Sequence, residues 1–106
     1  MAIDFCIANT SKEAAFAEKY VNLTEEIQVF LKKKNISHKA FNELVLDLNP
    51  YSDKVYSANE IKQLIEICNL IKDSFKEKEI ISFSNELQEM CNLALKQNKL
   101  IFAVGD

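Results

Sequence analysis

The chain has 106 residues and a formal net charge of −3, from thirteen lysines and no arginine against sixteen acidic residues. Nearly half of it is apolar and a quarter charged, an ordinary globular balance that excludes a disordered chain. One glycine and one proline leave no Gly-rich phosphate loop and argue against glycine-dependent sandwiches and barrels, and no run approaches the ~20 apolar residues of a membrane span.

Residues 2–8 alternate, with Ile3, Phe5 and Ile7 on one face and Asp4 and Cys6 on the other, which predicts a short half-buried strand. Thr10-x-x-Glu13 is a capping box that opens a helix. Phe16, Tyr20, Leu23, Ile27, Phe30 and Leu31 follow at helical steps, and Asn22-Leu23-Thr24-Glu25 can restart the helix, so 11–34 reads as one bent helix or two short ones. Lys32 to Lys34 suit the negative end of that helix, and Asn35 a left-handed stop.

Ser37 is the expected cap of the next helix, marked by Ala40, Phe41, Leu44, Val45 and Leu48 and ended by Pro50. Residues 49–56 read as a loop holding two tyrosines. Ser57-x-x-Glu60 is a second capping box, followed by Ile61, Leu64, Ile65, Cys68, Ile71 and Phe75 at helical spacing. Residues 80–83 fit a strand or a linker, and Ser84 is the expected cap of a last helix running to Asn98. Leu100 to Val104 is a β-leaning apolar run. The expected fold is mainly α: one domain over 1–106, a compact bundle of four to five helices, with or without a small two-stranded sheet from the chain ends.

The residues that carry chemistry are sparse. Nucleophilic catalysis needs a base beside the nucleophile, and His38 is the one histidine, read as an exposed first-turn residue. Cys6, Cys68 and Cys91 lack the close spacing of metal knuckles, and Cys68 and Cys91 sit on apolar helix stripes as core thiols. Carboxylate pairs such as Glu25 with Glu26 and Glu86 with Glu89 lie on polar helix faces among lysines. No catalytic residue, cofactor or metal is expected. The acidic balance and absent arginine argue against nucleic acid as a partner. Asp4, where a secretory leader would carry a basic residue, points to the cytoplasm.

The net charge is unevenly placed. Residues 1–39 carry six lysines against five acids, and residues 72–106 five against six. Residues 40–71 carry two lysines against five acids and hold the whole excess. Tyrosines beside carboxylates, on a loop between two capped helices, suit a surface for a basic protein, because tyrosine supplies contact area and acids speed encounter. Asp47, Tyr51, Asp53, Tyr56 and Glu60 are the expected partner contacts.

With about a hundred residues, an acidic Lys/Asn-rich composition, MAIDFCIAN at its start and LIFAVGD at its end, the chain resembles the small immunity proteins encoded beside bacterial toxins, including those of contact-dependent growth inhibition. The resemblance is one of whole-chain character and carries over no site residue. It implies a non-enzymatic protein that binds one toxin domain, often a nuclease, as a 1:1 complex and covers its basic active site. The alternative is a helical adaptor or secretion chaperone, dimeric, acting through an apolar groove.

Overall fold

The computed structural model describes residues 2–34, 36–49 and 51–105. The expected stop at Asn35 and the helix-ending Pro50 lie outside them. In chain order the elements are β1 (Ile3–Ala8), α1 (Ser11–Ala15), β2 (Val21–Leu23), α2 (Glu25–Lys34), α3 (Lys39–Phe41), β3 (Lys54–Tyr56), α4 (Ala58–Ser74), α5 (Lys78–Lys96) and β4 (Leu100–Gly105). Helix α3 runs into a π-helical turn, Asn42–Leu46, closed by the Asp47 N–H donating to the Asn42 carbonyl at 2.8 Å.

The expected helical bundle is corrected to an α+β fold built on a four-stranded antiparallel sheet, in the order β2-β1-β4-β3. The two ends of the chain form its centre. β1 pairs with β4 over six residues, from Ile3 opposite Gly105 to Ala8 opposite Leu100. The expected two-stranded sheet is short by two edge strands. β2 pairs with β1, Phe5 opposite Val21, and β3 pairs with β4, Tyr56 opposite Ile101. Each edge strand is three residues long, too short to show a period of two against the helical spacing around it.

Alternation along β1 puts apolar side chains on both faces. Ile3, Phe5 and Ile7 face the main core with Ile101 and Ala103, under α4 and α5. Cys6 and Ala8 face the other way with Phe102 and are covered by Ala14 of α1, a second, smaller cluster. The long helices supply the main layer: Ile61, Leu64, Ile67, Cys68 and Ile71 from α4 against Ile80, Phe83, Leu87, Met90 and Cys91 from α5. At about 25 cal/mol per Å² of apolar surface, this layer is the main stabilising term. Leu31 of α2 and Phe41 of α3 join the same core, both fully buried, and Phe30 meets Phe75 edge-on at 5.3 Å.

The caps explain where the helices begin. Thr10 accepts the Glu13 N–H at 3.1 Å and opens α1. That helix ends at Ala15, because the chain extends into β2, where Val21 and Leu23 are buried and Asn22 points out. Thr24 then accepts the Ile27 N–H at 3.2 Å and opens α2. The capping box of α4 is complete: Glu60 N–H to Ser57 Oγ at 3.3 Å and Ser57 N–H to Glu60 Oε1 at 3.1 Å.

Two expected caps are displaced. The cap of α3 is His38, whose Nδ1 accepts the Phe41 N–H at 3.1 Å, not Ser37. Ser84 lies inside α5, fully buried, its hydroxyl donating to the Ile80 carbonyl at 2.9 Å. Residues 80–83 are therefore helical, and α5 starts at Lys78. It ends as the spacing predicts: Asn98 adopts φ 55°, and the Lys99 and Asn98 N–H groups donate to the Ala94 and Leu95 carbonyls.

Candidate functional site

The five expected contacts separate into two kinds. Asp47 ends the π-helical turn and is exposed. Tyr51 is 76% exposed, and its N–H donates to Asn49 Oδ1 at 2.9 Å, which shapes the loop. Asp53 is exposed and accepts the Gly105 N–H at 3.3 Å, tying the loop to the end of β4. These three lie on the connection that leads into β3.

The other two are structural. Tyr56 is 0% exposed. Its ring lies 6.0 Å from that of Phe5, and its hydroxyl donates to the Leu44 carbonyl at 2.6 Å. It has no surface to offer a partner, and its place among the contacts is corrected: the residue belongs to a core-facing strand rather than a loop. Burial, then the charges of Glu60 and Cys91, push its pKa well above the ordinary tyrosine value. Glu60 is half-buried, closing the capping box with one oxygen and meeting Lys54 Nζ at 3.1 Å with the other. Burial acts to raise its pKa, but the Ser57 N–H and the Lys54 ammonium outweigh that and hold it below the usual carboxylate value. Lys54 Nζ also sits 5.0 Å from the centre of the Tyr56 ring.

The thiols offer little to chemistry. All three cysteines are reduced and buried. Burial pushes Cys68 up to about 12 against the opposing pull of Lys72. It raises Cys91 as well, with a contribution from Cys68, and Cys6, with contributions from Asp4 and Asp53. A nucleophilic cysteine needs the opposite shift. Among the described residues no group of three or more His, Cys, Asp or Glu could hold a metal ion, and no helix is long and apolar enough to cross a membrane.

The structure adds a concave surface that the spacing of residues does not announce. An open groove of about 1130 Å³ lies between α2 and α5, beside the edge strand β2. Ile27, Val29, Phe30 and Phe83 form its apolar part. Four carboxylates, Glu25, Glu26, Glu79 and Glu86, stand against two lysines, Lys33 and Lys78, so the lining carries a formal −2. β2 and β3 are opposite edges of the sheet, so the groove and the Asp47–Asp53 connection belong to different edges of the molecule. The chain matches no protein-family model, no curated protein and no solved structure.

Proposed function

We propose that this protein is a non-enzymatic inhibitor of the immunity type, which binds one bacterial toxin domain 1:1 and covers its basic, substrate-binding face. The observation that supports this reading best is the exposed run Asp47, Tyr51, Asp53, set in the segment that holds the whole acidic excess. An aromatic ring between carboxylates gives contact area and steering toward a cationic surface, and it competes with the phosphates a nuclease would bind. The buried thiols, raised out of their reactive range, support a binding role over a nucleophilic one. An inhibitor of this kind acts in the cytoplasm of the cell that makes it.

The test is binding to the toxin domain encoded immediately upstream. We expect one complex of 1:1 stoichiometry, with association at least ~10-fold slower at low salt for Asp47→Lys/Asp53→Lys and the difference shrinking as salt rises. Failure of the neighbouring domain to bind defeats the immunity reading. Tight binding with an unchanged association rate in the double variant keeps that reading and defeats this surface.

A further inference from the structure

The groove between α2 and α5 goes beyond that reading, because it lies by the other edge of the sheet and none of the five expected contacts lines it. We infer that it is a docking site for a short cationic amphipathic helix of a protein partner. Its two walls are helical stripes. Glu26, Val29, Phe30 and Lys33 run along α2, and Glu79, Phe83 and Glu86 along α5. Each stripe spans about two turns, or ~11 Å, the distance over which anchors at i, i+3, i+4 and i+7 act.

The chemistry of the lining selects among helices. Val29 is 48% exposed and Phe30 half-buried, so apolar surface waits in the trough rather than beneath it. Covering it releases water from side chains that the core leaves wet. The carboxylates of Glu26 and Glu86 stand on opposite walls, where lysines or arginines flanking the apolar anchors would reach them. An acidic helix would meet like charge on both sides. A second copy of this chain would bring its own formal −2 to the same place.

A defined probe tests this without the toxin: a synthetic peptide of about eighteen residues with leucines at i, i+3, i+4 and i+7, lysines flanking them and helix-forming alanines elsewhere. The controls are a scrambled peptide of the same composition and a glutamate-for-lysine version. Titrated into the ¹⁵N-labelled full chain, the lysine helix should shift amides within Glu25–Lys34 and Lys78–Glu86. It should bind more tightly than either control. Glu26→Lys/Glu86→Lys should weaken it at least ~10-fold, and so should Val29→Glu, a substitution at an exposed position that leaves the core untouched. Asp47→Lys/Asp53→Lys should leave its affinity unchanged within ~2-fold. Shifts centred on 47–53, shifts spread over the surface, equal affinity of the scrambled peptide, or no binding each overturn the assignment. So does concentration-dependent shifting of the groove amides without peptide, which would show a second copy seated there.

Discussion

Replacing Tyr56 by phenylalanine removes one oxygen and nothing else from a fully buried site. The ring keeps its place by Phe5, and the single loss is the 2.6 Å bond from the hydroxyl to the Leu44 carbonyl. That carbonyl belongs to the π-helical turn Asn42–Leu46, near the helix end, where carbonyls lack onward helical donors. Without Tyr56 it is a buried acceptor left unmet, which costs ~1–3 kcal/mol. With a urea dependence of ~1.5 kcal/mol/M for a domain this small, the unfolding midpoint should fall by about 1 M at an unchanged slope. The shift also has a pH signature. Tyr56 in the folded chain holds its proton well above the ordinary value, whereas in the unfolded chain it ionises near pH ~10. Its contribution is therefore complete below that pH and is lost as pH rises beyond it. The gap between wild type and Tyr56→Phe should narrow above pH ~10. A midpoint moved by less than ~0.2 M, or a gap that stays constant with pH, refutes the buried hydrogen bond as a stabilising contact.

The three thiols behave in the same sense at lower pH: unfolded cysteine ionises near ~8.5, the folded thiols do not, and stability should decline as pH rises from ~8 to ~10. A thiol reagent at neutral pH should find none of the three in the native chain and all three in denaturant. Asn98→Ala places a Cβ without amide compensation at φ 55° and should lower stability by ~1 kcal/mol in thermal unfolding, with Asn98→Gly at or above wild type. Removing everything after Lys99 takes away the central strand β4, with Ile101, Phe102 and Ala103 buried on it. At ~2–5 kcal/mol for each large apolar side chain, against a total of ~5–15 kcal/mol, the shortened chain should show no cooperative transition by circular dichroism.

The local order of the fold is partly legible in the sequence. Alternation marked β1, apolar character marked β4, and the reciprocal Ser57 and Glu60 pattern marked the start of α4, because each of these is a local contest that local residues win. The failures have a common cause. Val21 and Leu23 stand at positions that suit a helix face as well as a strand, and what makes them a strand is β1 beside them. Tyr56 reads as a loop aromatic until Ile101 lies opposite it. Ser84 has the chemistry of an N-cap, but its hydroxyl turns back to Ile80, and the helix runs through it. His38 replaces Ser37 as a cap because an unprotonated imidazole nitrogen accepts a hydrogen bond as a hydroxyl does.

The candidate surfaces differ in legibility for a geometric reason. Asp47, Tyr51 and Asp53 are neighbours in sequence, so a tally of charge along the chain finds them. The groove draws Glu26 from residues 1–39, which tally +1, and Glu79 and Glu86 from residues 72–106, which tally −1. In each segment the acids are cancelled on paper by lysines that do not line the groove, Lys12 and Lys19 in the first and Lys96 and Lys99 in the second. Coulomb interaction depends on separation in space and is screened over ~8 Å at physiological salt. Charges that cancel in sequence but lie on different surfaces therefore do not cancel for a partner. The near-neutral ends of this chain conceal an acidic trough because folding sorts their carboxylates from their lysines.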